Sequence, residues 1–380
     1  MPSSHDVAIA GLGAMGSAAA RALTRRGVRV VGFDRFAPPH GLGSSHGRSR
    51  IIREAYFEHP AYVPLVQHAW RLWEELERES GGRLLIRTGG LMVGPPDGAL
   101  VRGALASAEA HGLPHERLDA LAISRRVPAM HPGGGLVGVW EPNAGVLLPE
   151  AGIAATLASA RAHGASLHLD EPVVSWQADE RGVEVRTARG TYHAGRLVLA
   201  AGAWLPALLP DLAPSLIVER MALFWFEPRV DPAAFDPGRF PVFILEHARG
   251  RYIYGFPRLD GLVKLARHHE GEPTDPDRVR RDVSPAEEAS LRETFRPFLP
   301  AADGPLRERA VCLYTNTPDE HFVIGTHPRH PWVTMVSACS GHGFKFAPAI
   351  GEIVADLVTT GATAWNVELF SPARLLGARR

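Results

Sequence analysis

The sequence predicts an α/β fold: a parallel sheet with helices on both faces, interleaved with a second domain built on a mixed sheet. Three observations predict it. The N-terminus reads strand, glycine turn, helix, strand. A second strand running into a glycine turn recurs at Leu197–Gly202, as though the first domain resumes after an interruption. The stretch 218–270 is rich in short apolar runs of β character. A chain of 380 residues suits about two domains and buries a core without metal or disulfide staples.

Val7-Ala8-Ile9-Ala10 is a short apolar run that ends in Gly11-Leu12-Gly13-Ala14-Met15-Gly16, a G-x-G-x-x-G. A helix of small residues is expected from Ser17 to about Arg25, and Val28–Phe33 then leads to Asp34. Gly11, Gly13 and Gly16 permit a tight turn and close approach of a pyrophosphate to the helix N-terminus, where free N–H groups and the dipole favour anions. Asp34, 23 residues after Gly11, stands where an acid accepts hydrogen bonds from a ribose diol. Together these mark a Rossmann-like unit for an ADP-containing dinucleotide. They do not choose between NAD and FAD.

Further along, apolar spacing from Tyr62 to about Arg78 (Val63, Leu65, Val66, Trp70, Leu72, Trp73, Leu76) predicts a buried amphipathic helix. Gly133-Gly134-Gly135 reads as loop and Glu141–Gly145 as turn, and a small-residue helix follows from Ala151 to about Ala165. Val173-Val174, Val183–Arg186 and Leu197–Ala200 read as strands, with Leu223–Phe226 and Tyr252–Tyr254 the clearest of the β-rich region. Ser284 as N-cap and Pro285 open a helix to about Phe295. A last helix runs from Pro348 to about Thr359.

Basic and acidic residues balance at 41 each, with pI ≈ 7.4. That argues against nucleic-acid binding, which relies on basic excess to neutralise phosphates. No stretch approaches the ~20 apolar residues of a membrane span, and the N-terminus lacks a basic segment before an apolar one. Cys312 and Cys339 are the only cysteines, which fits a reducing compartment, and a cytoplasmic protein is expected.

Two of the 41 basic residues are lysines, Lys264 and Lys345, and the rest are arginine. Amides are similarly scarce: Asn143, Asn316, Asn366, Gln67 and Gln177. GC-rich coding, which replaces lysine wherever the surface is indifferent, gives such a bias, and loss of thermolabile amides also suits a hot habitat. The two survivors therefore stand out as candidates for tasks that need a compact, tunable ammonium rather than a guanidinium.

Three segments together point to a family. They are Gly43-Ser44-Ser45-His46-Gly47-Arg48-Ser49-Arg50-Ile51-Ile52-Arg53, Cys312-Leu313-Tyr314-Thr315-Asn316-Thr317-Pro318-Asp319-Glu320-His321-Phe322, and Ser340-Gly341-His342-Gly343-Phe344-Lys345-Phe346. With the glycine fingerprint they resemble the monomeric sarcosine oxidase and N-methyltryptophan oxidase family of the glycine/D-amino acid oxidase superfamily, over essentially the whole chain. The resemblance implies a Rossmann-like FAD-binding domain (1–86, 146–216 and 310–380) interleaved with a mixed-sheet catalytic domain (87–145 and 217–309). It implies FAD bound covalently, as an 8α-S-cysteinyl thioether at Cys312. It further implies oxidation of a secondary amine to an imine that water hydrolyses, with O2 reduced to hydrogen peroxide, by a monomer acting on a small amino acid.

Residue by residue, the resemblance gives Arg53 and Lys345 to the substrate carboxylate, and His46 and Arg50 to the flavin ring. Lys264 matches the oxygen-activating lysine; Tyr254, His268, Tyr56 and Tyr314 match pocket positions. Val174, Gly202, Gly343, Phe344 and Lys345 join Gly11, Gly13, Gly16 and Asp34 as cofactor contacts. Cys339 departs from the family and is assigned to packing. So do Arg48, Phe57-Glu58-His59-Pro60 and Glu219-Arg220-Met221-Ala222, all expected to shape access to the site. They leave sarcosine, a larger N-methyl amino acid such as N-methyltryptophan, and cyclic imino acids such as proline or pipecolate open as substrates. A flavin dehydrogenase with another electron acceptor is the alternative within the same chemistry, and a non-catalytic FAD-binding subunit the alternative outside it.

Overall fold

The computed structural model describes residues 5–376. Residues 1–4, where the reading of the N-terminus begins, and 377–380, the end of the third segment expected for the nucleotide domain, lie outside them. Two large sheets and one small one make up the β-structure.

In the eight-stranded sheet, His5–Ala10 lies parallel between Val30–Phe33 and Thr191–Leu199. Ser166–His168 extends the parallel set beyond Val30–Phe33. Along one edge of Thr191–Leu199 the partners change. Its first half pairs antiparallel with Gly182–Thr187, and its second half pairs parallel with His330–Ser337. The parallel centre is covered on both faces, so its strands read as unbroken apolar runs rather than alternations: residues 7–10 and 30–33 are all buried.

The helix Ala14–Arg25 starts directly after Gly13, three residues earlier than the composition suggests. Its small side chains let neighbours come close. A Cβ on Gly351, in the helix Ala347–Thr360, would stand 2.6 Å from the Ala18 backbone. The amphipathic helix Val63–Ser80 buries all seven apolar residues that defined its periodicity.

The nine-stranded sheet is antiparallel except where Gly90–Gly94 runs parallel to Val242–Ala248. At its heart Ile217–Phe226 pairs with Val263–His268 on one side. On the other it pairs with Leu306–Asn316, an 11-residue strand that crosses position 310 without interruption. Helix Pro285–Phe295 begins with a full capping box, Ser284 and Glu287 each bonding the other's backbone. The small sheet, Arg50–Arg53, Ala144–Leu147 and Leu85–Arg87, lies beside the cavity described below.

Residues 87–145 hold more than the loop and turn read from sequence, namely helices Ala99–His111 and Ala120–Arg126 and three strands of the large sheet. Among the described residues no helix is long and apolar enough to cross a membrane.

Candidate active site

One continuous cavity is walled by residues from all three sheets and from the turns between them. Its first part is made by the glycine turn, and the three glycines do three jobs. Gly11 has φ +94°, and a Cβ there would lie 2.4 Å from the Ala200 carbonyl oxygen, so only glycine lets the two strands approach. A Cβ on Gly16 would lie 1.7 Å from the Gly11 carbonyl oxygen, so Gly16 lets the helix seat on the turn. At Gly13 the space is open, the nearest atom being Ser45 Oγ at 3.8 Å. That opening, at the N-terminus of Ala14–Arg25, is where a phosphate can approach the backbone.

Asp34 is buried at the end of Val30–Phe33 and faces the same cavity. Its two oxygens accept from Leu12 N (2.6 Å) and Phe36 N (2.9 Å). The acid thus braces the glycine turn while each oxygen keeps a second lone pair for a ribose. Val174 and Gly202 line this part too, with Arg35, His40 and Trp204, which the sequence reading did not single out. Arg35 lies over the Trp204 ring, and Trp204 Nε1 donates to Asp277 at 2.8 Å.

The middle of the cavity carries Cys312 and Arg50. Cys312 is buried on the strand Leu306–Asn316, opposite Met221. Arg50 Nη2 donates to Ser44 O (2.7 Å) and reaches Cys312 Sγ at 3.6 Å, placing fixed positive charge beside the sulfur. Cys339 also lines the cavity, and its Sγ accepts from Thr315 N at 3.2 Å.

Lys264 lies just behind this wall rather than in it. Its Nζ donates to Gly47 O (2.8 Å) and Ser49 O (3.1 Å) and sits over the faces of Phe256 and Trp225. Burial, with Arg50 nearby, holds its pKa well below the usual lysine value. His46 shares these surroundings. Burial, with Arg50 and Lys264, pushes it down to about 4, and its Nε2 has no protein partner. Glu150, from the first turn of Pro149–Ala162, ties down the intervening loop by accepting from Gly47 N (2.7 Å) and Arg48 N (3.0 Å).

The last part is electrostatic. Arg53 and Lys345 are 2% and 5% exposed, so each must be partnered inside the protein. Arg53 donates through Nη2 to both oxygens of Glu58 (2.8 and 2.7 Å) and lies 4.2 Å from the centre of the Tyr56 ring. Lys345 Nζ donates to His342 O (2.7 Å) and Tyr56 OH (3.3 Å). Burial, reinforced by Arg53, pushes Lys345 down to about 7.

Glu141 pins the turn that carries this group. Its Oε2 accepts from Glu54 N (2.8 Å) and Ala55 N (2.9 Å), and burial pushes its carboxyl up to about 7. His268, Tyr254 and Tyr314 close the wall, with His268 Nδ1 3.4 Å from the Tyr314 hydroxyl. Burial and then the adjacent His269 keep His268 neutral at ordinary pH. Tyr254 is pushed up to about 12 by burial.

The predicted residues therefore fall in three places. Gly11, Gly13, Asp34, Val174, Gly202, Arg50, Arg53, Tyr254, His268, Cys312, Tyr314, Gly343, Phe344 and Lys345 all face the cavity. His46, Tyr56 and Lys264 lie directly behind it, and Gly16 supports the turn.

The departures also separate. Glu58 faces the cavity as the partner of Arg53. Arg48, at φ +64°, pairs outward with Glu308. Arg220 is a buried strut from its strand to the capping box, donating to Glu287 (2.6 Å), Arg280 O and Asp282 O.

An orphaned group points to a polar ligand: Ser337 Oγ is buried, faces the cavity and has no protein partner. With the open approach at Gly13 and the bracing acid Asp34, the residues present suit a dinucleotide that extends from the glycine turn toward Arg53.

Comparison with known proteins narrows the ligand. The family described as FAD dependent oxidoreductase matches residues 6–357. The chain is 46% identical to a monomeric sarcosine oxidase of Streptomyces avermitilis, over 100% of both chains. It is 36% identical to the N-methyl-L-tryptophan oxidase of Salmonella arizonae, over 97% of this chain and 99% of that one. Among solved structures, NikD, an unusual amino acid oxidase essential for nikkomycin biosynthesis, aligns with a TM-score of 0.85 at 27% identity over 98% of both chains.

Proposed function

The chain belongs to the FAD dependent oxidoreductase family, and on that premise we propose that it is an oxidase of secondary amines that carry a carboxylate, with sarcosine or another N-methyl amino acid as substrate. The observation that carries this reading is the pair of buried cations, Arg53 and Lys345, on the wall of the cavity that the glycine turn opens. Arg53 already grips a carboxylate, that of Glu58, so a substrate carboxylate is a fitting occupant in its place.

FAD bound here supplies a two-electron acceptor whose reoxidation by O2 gives hydrogen peroxide. Everything else falls to the chain. Arg53 and Lys345 hold the substrate by its carboxylate and so orient its C–N bond, which turns binding energy into alignment. His268, neutral, and Tyr254 and Tyr314 surround the amine and exclude water. The imine is released to water, giving glycine and formaldehyde from sarcosine. Lys264 holds a proton beside the place where O2 gains negative charge, and that developing charge favours its protonated form. Arg50 and His46 would lie near the flavin ring, where the positive charge of Arg50 would favour its reduced, anionic form.

Cys312 is the attachment point we assign to FAD, through a thioether to the 8α carbon, supported by its place on the cavity wall beside Arg50. Like the relatives named monomeric sarcosine oxidase, it is read as acting as a single chain.

Oxygen consumption and peroxide yield with a panel of N-methyl and cyclic amino acids, each beside its methyl ester, test the reading. Turnover of acids with stoichiometric peroxide, and poor turnover of esters, is expected. Esters as good as acids would overturn the carboxylate assignment; reduction of a dye without peroxide would make the protein a dehydrogenase. After acid precipitation the flavin colour should stay with the protein, be lost in Cys312→Ser and persist in Cys339→Ser. Colour released from the wild type would remove the covalent assignment.

A further inference from the structure

His342 is buried between the segments Thr317–His321 and Gly343–Phe346, with its ring stacked 4.8 Å from that of Phe322. No step above uses it. Its hydrogen bonds nevertheless determine its tautomer. Nε2 lies 3.0 Å from the carbonyl oxygen of Glu320, which can only accept, so Nε2 carries a hydrogen. Burial, with Lys345 as the next contributor, keeps the ring neutral, and Nδ1 is then bare and must accept. The group facing Nδ1 is the Tyr56 hydroxyl, at 2.6 Å. The same hydroxyl is 3.4 Å from the His342 carbonyl, a longer contact to an oxygen that already accepts from Lys345.

The Tyr56 proton is thereby committed to His342, and its oxygen turns lone pairs to Lys345 Nζ, 3.3 Å away. An ammonium has three N–H groups. One goes to Tyr56, whose orientation the His342 ring sets, and a second to the His342 carbonyl at 2.7 Å. The third is left for the cavity that Lys345 lines. The Lys345 backbone is held as well, its carbonyl accepting from Trp73 Nε1 at 2.8 Å.

We propose that His342 is a positioning residue of the carboxylate clamp: its fixed tautomer makes Tyr56 an acceptor for Lys345, and so aims the remaining N–H of Lys345 at the substrate carboxylate. This rests on the proposed role of Arg53 and Lys345. It also assigns Tyr56 no proton for the substrate, so Tyr56 and His342 act on one route rather than two.

The experiment measures the dissociation constant of acetate, a carboxylate that is not oxidised, from the flavin absorbance of the holoenzyme. His342→Leu removes the acceptor for Tyr56 and should weaken acetate by about tenfold, the scale of one charge-assisted hydrogen bond. His342→Asn puts an amide oxygen near the Nδ1 position and should stay within about threefold of the wild type. Adding Tyr56→Phe to His342→Leu should change affinity little further, because the two share a route. Lys345→Met is the control for the clamp itself.

If Lys345→Met leaves acetate affinity unchanged, the clamp reading fails and this proposal with it. If Lys345→Met weakens acetate while a folded His342→Leu does not, the positioning role alone is overturned. Multiplicative effects of His342→Leu and Tyr56→Phe would also overturn it. Should His342→Leu not fold, the same cycle is run with His342→Asn and Tyr56→Phe: Tyr56→Phe must weaken acetate in the wild-type background, and the proposal falls if it does not.

Discussion

Where the cavity meets the glycine turn, its wall is mostly backbone: an open approach at Gly13, a helix N-terminus, and a carboxylate that braces two N–H groups. Where it meets Arg53 and Lys345, the wall is made of side-chain charges, nearly all buried and each held by a named partner. The first part offers a ligand shape and backbone dipoles, with the buried Asp34 as its acid. The second works through charges held inside a low-dielectric wall, which are strong only while protonated and aligned. The nucleotide part should therefore fail by sterics and the amine part by charge.

The largest effect expected is steric. Gly16→Ala puts a methyl group 1.7 Å from the Gly11 carbonyl oxygen, a backbone atom that cannot swing aside. The resulting strain, at or above the roughly 3 kcal/mol of ordinary overpacking, should abolish retention of FAD. Measuring flavin per protein checks it, and normal FAD content in Gly16→Ala would end the backbone account of this part.

Next is Lys264→Met, which should slow flavin reoxidation by O2 by about 10²-fold, the scale of one preorganised electrostatic group. Anaerobic reduction by substrate should change far less. Stopped-flow traces of both half-reactions separate this from a purely structural lysine, for which the oxygen reaction of the folded variant would be unaltered.

The clamp follows, with an effect that reaches the same scale only at its upper end. Lys345→Met or Arg53→Met removes one charge-assisted hydrogen bond, about 1.5–3 kcal/mol, or roughly 10–150-fold in kcat/KM. The two differ in pH response. Lys345 is held at about 7 in the free protein, so acetate should bind best below that pH. Its dissociation constant should rise as pH passes about 7 and the ammonium is lost, approaching that of Lys345→Met. In Lys345→Met the rise should vanish. A flat profile in the wild type would mean Lys345 stays charged throughout.

The same contrast governs what could be read in advance. The glycine turn, the strand before it, the helix after it and Asp34 were legible because each is a backbone requirement written in local sequence. The two lysines were legible for a different reason, their rarity. Glu141 and Glu150 were not, since in a chain with 22% charged residues a glutamate looks like surface, and Glu58 stood out only within a segment expected to shape access, not as the partner of Arg53. Only the fold brings Glu141 against the N–H groups of Glu54 and Ala55, far away in sequence.

Arg220 was misjudged in the opposite direction. It was expected to shape access, yet it is bound to a helix cap, because a buried guanidinium with five donors serves well as a strut between elements. Residues 87–145 stayed obscure for two opposite reasons. Glu116–Asp119 is a short strand at the end of its sheet with one buried residue, too brief to show a pattern. Gly90–Gly94 is wholly buried and shows no alternation to detect.

Cys312 sits on a strand that pairs along its length with Ile217–Phe226, in the nine-stranded sheet, whereas the glycine turn belongs to the eight-stranded one. A cofactor fastened at Cys312 is thus moored to one half of the molecule and cradled by the other. If FAD is joined to Cys312 as proposed, unfolding of the eight-stranded half alone would not release it. Refolding would then recapture it at an effective concentration on the order of millimolar, independent of how much free FAD the surroundings hold.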